Sequence, residues 1–345
     1  MAVSAGRGTA PRRLGLLDRL EPERRRRRNA SYPYALGDRI AGDLAVIGHL
    51  EVGRLGHLYQ VWSAREWCAF TCKILAPTER SNADAAATLR REGRILGAVR
   101  HPNLVRSYGE GEHDGLPFLL MEYLEGPSLF DVLEERPARR LEPSDAVRAA
   151  IHLGAALYHL HREGWLHLDL KPANLLLRDG VPVLIDMDAA RRMEEAPPEE
   201  RLGTGPYMAP EHVRGEPLGP AADIYGLGAL LYELLTGRWP YEDVYTEAEP
   251  RQGQERQYPQ LGSAPPPEPG RYAPGLSASL ARTVLTCLAP DPADRFDSLH
   301  PLLLGLAAEL EEPVSLWPVN VSAERRSRPR EDSPPLGSAP TGAER

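Results

Sequence analysis

One stretch decides the fold of this chain: His167-Leu-Asp-Leu-Lys-Pro-Ala-Asn-Leu-Leu-Leu177, with Asp186 after the next apolar run. Asp169, Lys171 and Asn174 form a short polar loop within it. Two carboxylates, an ammonium and an amide brought together suit phosphoryl transfer, because they can orient a hydroxyl, offset phosphate charge and hold Mg²⁺. The same residue types are common in ordinary turns. The rest of the sequence is needed to distinguish a phosphoryl-transfer site from an ordinary turn.

Length and composition allow a large globular domain. The 345 residues, 42% hydrophobic and 26% charged, have room for two or three ordinary domains or one two-lobed domain. A formal net charge of −8 argues against nucleic acid as the main ligand. No apolar run reaches the roughly 20 residues of a membrane helix, and no secretion signal is evident. We therefore expect a cytoplasmic protein without a membrane span.

The three cysteines do not form a metal-binding pattern. Cys68 and Cys72 lie on one face of a predicted strand, and Cys287 is remote from them in sequence. A zinc site would need further ligands that the sequence does not supply at suitable spacing. Buried free thiols are the expectation.

The sequence predicts a disordered tail at each end of the chain. Residues 1–36 are predicted to be a disordered basic tail with the unbroken run Arg24–Arg28, whose like charges favour solvation. Residues 313–345 are predicted to be a disordered tail rich in Pro, Ser and Arg. An acidic partner or an anionic lipid surface is the alternative for the basic run, and either tail could bind a partner.

Short apolar segments begin after residue 39. The pattern predicts strands at Leu44–Leu50, Leu58–Ala64 and Trp67–Leu75. Gly53 and Gly56 lie in the turn between the first two strands. Glycine lets a backbone approach phosphates closely, although many hairpins use it for the turn alone.

The third strand carries Lys73, which needs a partner if it is buried. A helix is predicted from Asn82 to Val99, with Ser81 or Asn82 as its N-cap. Glu92 falls on the apolar face of that helix and is the candidate partner of Lys73. The alternative is a surface Glu and a Lys whose stem alone is buried.

The second half of the chain is predicted to be helical. A helix with a Ser N-cap covers Ser144–Arg162, and a strongly apolar helix runs from Ala222 to a stop at Gly237. Residues 242–274 are predicted to form a loop. Helices are expected at Ser277–Leu288 and Ser298–Leu310.

In their order and spacing these features resemble the eukaryotic-type serine/threonine protein kinases, in particular soluble bacterial members. The resemblance covers residues 39–311. It implies an α+β, two-lobed protein kinase-like fold. The small lobe (39–122) would be mainly antiparallel sheet plus one helix, and the large lobe (126–311) mainly helical. The implied ligands are ATP, Mg²⁺ and a protein substrate with a Ser or Thr hydroxyl.

The resemblance also implies roles for individual residues. The implied catalytic residues are Asp169 and Lys171. Those implied to bind the nucleotide are Gly53, Gly56, Leu58, Lys73, Glu92, Glu122 and Leu124. The implied magnesium ligands are Asn174 and Asp186. The supporting residues that it implies are Met121 as gatekeeper, Thr204 and Asp223 as partners of the catalytic loop, and a Glu211–Arg295 pair behind the peptide platform Gly203–Glu211.

The chain departs from this family pattern at several positions. Glu51 replaces the first glycine of the turn, Leu168 replaces an arginine, and Asp188 replaces a glycine after Asp186. Ser107 replaces an apolar residue that couples the lobes. Three interpretations follow from the residues that are kept and lost: an active kinase, a pseudokinase that binds nucleotide or serves as a scaffold, and a small-molecule phosphotransferase, which the peptide platform disfavours.

One absence predicts a mode of regulation. No Ser, Thr or Tyr lies between Asp188 and Gly203, and Leu168 could not bind a phosphate there. We therefore expect activity that does not depend on phosphorylation of this segment.

Overall fold

The structure is a computed structural model, which describes residues 32–136, 138–197, 202–247, 258–262 and 264–310. Its first part is a six-stranded antiparallel sheet in the order β1-β2-β3-β4-β6-β5. The strands are β1 (Arg39–Ile40), β2 (Leu44–Val52), β3 (Gly56–Ser63), β4 (Cys68–Leu75), β5 (Ser107–His113) and β6 (Leu116–Glu122). The three strands predicted before residue 76 are confirmed, with ends shifted by a few residues, and together they carry the glycine turn and Lys73.

One long helix, α1 (Ala83–Ala98), packs against the sheet. Asn82 is its N-cap, because the Asn82 side chain accepts a hydrogen bond from Ala85 N at 3.0 Å. The buried face carries Leu89, Ile95 and Leu96, and Glu92 is buried among them. The periodicity therefore predicted correctly both the helix and the inward direction of Glu92.

The second part is mainly helical. Its helices are α2 (Leu129–Glu135), α3 (Pro143–Arg162), α4 (Pro210–Arg214), α5 (Pro220–Thr236), α6 (Glu242–Glu247), α7 (Ala278–Cys287) and α8 (Leu299–Ala307). Short strands β7 (Trp165–Leu166), β8 (Leu175–Arg178), β9 (Val181–Leu184) and β10 (Arg191–Arg192) form two-stranded ladders, β8 with β9 and β7 with β10. Helix α5 is buried along almost its whole length and ends at Gly237, at a φ of 73° that favours glycine. This gives the predicted division into a sheet-based lobe and a helical lobe.

Three details of the sequence prediction were wrong. Helix α3 begins at Pro143 with Glu142 as N-cap, not with Ser144, because proline at the first position already has helical φ and no N–H to satisfy. Helix α6 lies inside the segment predicted as loop, with acidic residues in its first turn, where the helix dipole favours them. Cys68 is exposed, since it starts β4 beside a turn, whereas Cys72 and Cys287 are buried free thiols as expected.

The predicted tails lie mostly outside the described residues, and the domain boundaries remain predictions. Residues 32–36 are described, and Tyr32 and Tyr34 pack against the sheet. Tyr34 N donates to Tyr59 Oη at 3.3 Å, and the Tyr32 ring stacks on His49 with centroids 4.2 Å apart. In the part of the chain that the structure describes, no helix combines the length and apolar content needed to cross a membrane.

Candidate active site

The polar loop of the opening stretch lies between β7 and β8, and a buried carboxylate holds its backbone. Asp223 accepts hydrogen bonds from His167 N and Leu168 N, both at 2.8 Å, and contacts His161 Nε2 at 2.8 Å. Burial acts to raise the pKa of Asp223, but the hydrogen bond and charge of the histidines outweigh it and the pKa is lowered. Leu168 has a φ of 66°, so these bonds stabilise a backbone conformation that leucine rarely adopts.

Asp169 is oriented by three neighbouring side chains. Its Oδ1 accepts from Thr204 Oγ1 at 2.6 Å, and its Oδ2 accepts from Lys171 Nζ at 2.6 Å and from Asn174 Nδ2 at 3.2 Å. Lys171 Nζ also lies 3.1 Å from Thr204 Oγ1. The Asp169 side chain is 15% exposed, so part of it remains accessible to solvent.

Lys73 faces three carboxylates. Its Nζ lies 2.7 Å from Glu92 Oε2, 3.2 Å from Asp186 Oδ1 and 2.7 Å from Asp188 Oδ1. Two backbone N–H groups also hold the carboxylates in place. Met187 N donates to Glu92 Oε1 at 3.3 Å, and Asp188 N donates to Asp186 Oδ1 at 3.1 Å. The predicted Lys73–Glu92 pair is therefore present, and it joins the sheet lobe to the segment that follows β9.

The carboxylates and Lys73 control each other's protonation. Burial acts to raise the pKa of Glu92, and the Lys73 ammonium opposes that rise. Burial also acts to raise the pKa of Asp186, but Lys73 outweighs it and the pKa falls to about 2. Burial would lower the pKa of Lys73, yet the three carboxylates raise it well above its ordinary value. The ammonium thus stays charged in a cluster with more negative than positive groups.

The donor set fits Mg²⁺ and ATP phosphates. Within the described residues, the group of acidic, His or Cys side chains near enough to share a cation is Glu92, Asp186 and Asp188, with ligand atoms within 4.8 Å of one another. Asn174 donates through Nδ2, and its Oδ1 is the atom that it can offer to a metal. Carboxylate and amide oxygens are the ligands that Mg²⁺ prefers.

The glycine turn is closed by a backbone hydrogen bond from Gly53 N to Gly56 O at 2.8 Å. Close packing also requires glycine at position 56, because a Cβ there would lie 2.2 Å from Ile74 O on β4. Leu58 pairs with Lys73 across the β3–β4 ladder, which puts both side chains on one face of the sheet. Glu51 is exposed, and it pairs with Leu58 across the β2–β3 ladder.

Glu122 and Leu124 lie where the two lobes connect. Glu122 ends β6, its N donates to Arg106 O at 2.9 Å, and its side chain accepts from Arg106 N and pairs with Arg178 at 2.7 Å. Any bond from Glu122 to adenine must therefore use its carbonyl oxygen. Leu124 is buried in the same connection.

The segment after residue 202 is fixed to the helical lobe. Arg295 makes a bidentate pair with Glu211, with Nη1–Oε1 and Nη2–Oε2 distances of 2.6 and 2.8 Å, and both residues are buried. Gln260 Nε2 donates to Gly205 O at 2.9 Å and to Met208 O at 3.1 Å. Sequence reasoning missed Gln260, because a lone glutamine in a segment read as loop carries no local signal.

Comparison with known proteins identifies the family. The protein kinase domain family matches residues 44–302. The chain belongs to the protein kinase family. Serine/threonine-protein kinase pkn2 of Myxococcus xanthus is 33% identical over 286 residues, covering 78% of this chain and 32% of that protein. PknH of Mycobacterium bovis is 30% identical over 314 residues, covering 84% and 50% respectively.

PknB of Mycobacterium tuberculosis is 32% identical over 252 residues, covering 69% of this chain and 38% of that kinase. This chain thus spans 32% to 50% of the length of these relatives. Among solved structures, the kinase domain of Mycobacterium tuberculosis PknI covers 80% of this chain and 100% of its own, with a TM-score of 0.61 at 24% identity. The predicted family and the two-lobed α+β fold are confirmed.

The family also bears on the ligands. Protein kinases use ATP and Mg²⁺, and the prediction of these two cofactors is confirmed at the level of the family. Which residues hold them remains a prediction.

Proposed function

We propose that this chain is an ATP-dependent serine/threonine protein kinase. The observation that carries the proposal is the Lys73–Glu92 pair at 2.7 Å, which faces Asp186 while Thr204 and Lys171 orient Asp169. The two groups lie close together, because His167 Nε2 contacts Asp186 O at 2.7 Å and Ile185 N donates to Asn174 O at 3.1 Å, which supports a single catalytic centre. The relatives are named serine/threonine-protein kinases, which supports Ser and Thr hydroxyls as the proposed phosphate acceptors.

The mechanism follows from what each side chain can do. Bound Mg²⁺ would offset charge on the transferring phosphoryl group, and Asn174 and Asp186 are the residues that would hold it. Lys73, fixed by Glu92, would align the phosphates. Asp169 would orient the substrate hydroxyl and accept its proton, and Lys171 would stabilise negative charge beside it. Gly53, Gly56 and Leu58 would cover the nucleotide, and Glu122 and Leu124 would bind adenine through their backbone.

A protein rather than a small molecule is the proposed substrate. The platform Gly203–Glu211 is anchored by the buried Glu211–Arg295 pair and by Gln260, so it can present a fixed surface to a peptide. Thr204 belongs to this platform and donates to Asp169 directly, which supports a docked hydroxyl lying close to the carboxylate.

The central test is phosphate transfer from labelled ATP with Mg²⁺ to a generic basic protein. The wild-type chain should label the protein, and Asp169→Asn should lose nearly all activity, because the amide cannot accept the proton. No transfer by the wild-type chain despite measured ATP binding would favour the pseudokinase. Equal transfer by both would indicate a contaminating kinase.

We also propose that activity does not require phosphorylation of the segment after Asp188. Unmodified side chains already hold its first part. Arg192 Nη1 donates to Glu163 O at 2.7 Å and its guanidinium lies 4.1 Å from the Trp165 ring centroid, while Arg191 pairs with Glu195 at 3.4 Å. These contacts supply the anchoring that a phosphate would otherwise supply.

Phosphatase treatment checks this second proposal. Phosphatase-treated protein should keep its rate of transfer within about twofold, and mass spectrometry should find no stoichiometric phosphate on Thr204, the hydroxyl residue nearest to this segment. A phosphate on Thr204 whose removal abolishes activity would contradict the proposal.

The pseudokinase remains the second candidate because of one contact. Asp188 Oδ1 and Glu92 Oε2 both lie 2.7 Å from Lys73 Nζ. A second carboxylate of the chain itself therefore pairs with the ammonium that would have to bind the phosphates. Ser107 on β5 gives weaker support, being a polar residue at a position where apolar coupling between lobes is expected.

A further inference from the structure

The three carboxylates around Lys73 differ in how firmly they are held. The Glu92 side chain is completely buried, and its second oxygen accepts from Met187 N. Asp186 accepts from Asp188 N, and its own backbone oxygen contacts His167 Nε2 at 2.7 Å. Both are therefore fixed by partners other than Lys73.

Asp188 is the least constrained of the three. Among the described residues, its carboxylate has Lys73 as its one hydrogen-bond partner, at 2.7 Å, whereas its backbone is bonded to Asp186 and to Arg91 Nη2. Its side chain is 20% exposed, between the values of 0% for Glu92 and 32% for Asp186, so the difference between Asp188 and Asp186 lies in their hydrogen-bond partners and not in their exposure. Rotation of this side chain would release the Lys73 ammonium without moving the backbone.

We propose that Asp188 is an exchangeable counter-ion of Lys73, displaced by the phosphates when nucleotide binds. This rests on the proposed function only in taking ATP as the nucleotide. In the free chain Asp188 holds the place that a phosphate oxygen would take beside Nζ. An incoming phosphate must displace it and meets repulsion from Asp186 as well.

The exchange makes nucleotide affinity depend on the divalent cation. Without Mg²⁺, the displaced Asp188 carboxylate and the phosphates repel each other across a partly desolvated cleft. With Mg²⁺, the released carboxylate gains a cation nearby, so its displacement becomes favourable. Asp188 would thereby select the metal-bound nucleotide over free ATP.

Direct binding measurements on Asp188→Asn test the proposal. The asparagine keeps an oxygen for Lys73 and removes the charge. We expect it to bind ATP in EDTA about tenfold more tightly than wild type, with a smaller gain in excess Mg²⁺. Adenosine, which has no phosphates, should bind both proteins equally.

Two matched variants exclude indirect effects. Asp114→Asn removes a carboxylate that is 69% exposed at the β5–β6 turn and should leave every affinity unchanged. Asp188→Ser removes both the charge and the carbonyl oxygen and should reproduce the gain in ATP affinity. Thermal unfolding without ligand should show that each variant is folded.

The outcomes separate the inference from the proposed kinase activity. Unchanged or weaker ATP binding by Asp188→Asn would overturn the counter-ion role, and so would an equal change for adenosine. Tighter binding of metal-free ATP without any phosphoryl transfer by the wild-type chain would support the exchange and contradict the kinase proposal. In a transfer assay, the variant should lower the KM for ATP more than it changes kcat.

Discussion

At the scale of single residues, Lys73 determines the electrostatics of the cleft. A buried lysine normally loses its charge through desolvation, but here three carboxylates hold the ammonium in its protonated form. The same ammonium opposes the rise in the pKa of Glu92 and lowers that of Asp186. One substitution at this position should therefore change the state of every charged group around it.

Replacing Lys73 with Met tests this dependence. We expect phosphoryl transfer to fall by about a hundredfold or more, because the phosphates lose the cation that aligns them. Arg65→Met is a suitable control, since Arg65 is 82% exposed on the β3–β4 turn and should have no effect. Retained transfer by the Lys73 variant would mean that another residue aligns the phosphates.

At the scale of elements, short segments depend on contacts from distant parts of the chain. Helix α4 has five residues, too few to be stable alone, and its Glu211 is bound by Arg295 from the segment before α8. Arg295 also donates to Ala289 O at 2.8 Å and Ala221 O at 2.9 Å. The segment 203–211 therefore depends on this buried cluster for its stability.

Arg295→Met should lower the free energy of unfolding by about 3–5 kcal/mol, because it leaves Glu211 buried without its cation. Urea denaturation measures this change. Arg65→Met again serves as control, since the exposed Arg65–Glu66 pair should contribute less than about 1 kcal/mol. A loss below about 1 kcal/mol for the Arg295 variant would show that water replaces the pair easily.

At the scale of the whole molecule, the two lobes meet beside the active site. Val105 N donates to Leu184 O and Leu184 N donates to Asn103 O, each at 2.9 Å, and Asn103 Nδ2 donates to Pro182 O at 2.8 Å. The chain between α1 and β5 thus docks on β9, directly before Asp186. Since Lys73 and Asp186 come from different lobes, any motion between the lobes changes their distance.

Another buried carboxylate links the platform to the core of the helical lobe. Glu233 on α5 accepts from Tyr207 Oη at 2.5 Å, and Trp239 Nε1 donates to that same phenol oxygen at 2.9 Å. Burial raises the pKa of Glu233 from 4.5 to about 7, although the Tyr207 hydrogen bond acts to lower it. A folded-state pKa above the unfolded value means that this group's stabilisation is complete below about pH 4.5 and is lost as pH rises through 7.

Glu233→Gln should remove this pH dependence. Urea unfolding at pH 8 should find the variant more stable than wild type by up to about 3 kcal/mol, because no charge has to be buried. At pH 5 the two proteins should differ much less. The exposed control Glu66→Gln should behave alike at both values. Equal differences for Glu233→Gln at pH 5 and pH 8 would contradict the raised pKa.

Local pattern was enough to predict the elements that carry the site. The N-cap of α1, the inward face that carries Glu92 and the stop of α5 at Gly237 all depend on residues within a few positions of one another. Errors in the predicted helices arose where two local sequence preferences favoured different structures. Pro143 prevailed over Ser144 at the start of α3, and acidic residues started α6 in a segment rich in loop-forming residues.

The family, the residue types of the active site and their order could be predicted from the chain alone, because motif spacing, helix caps and apolar periodicity are properties of the amino-acid order. The contacts among the charged groups could not be predicted in this way, and three carboxylates around one ammonium became evident only in the folded chain. Asp188 lies 115 positions from Lys73, and Gln260 lies 55 positions from Gly205. Such contacts depend on how the lobes and loops pack together, which no local pattern encodes, and they make Lys73 a residue with three carboxylate partners.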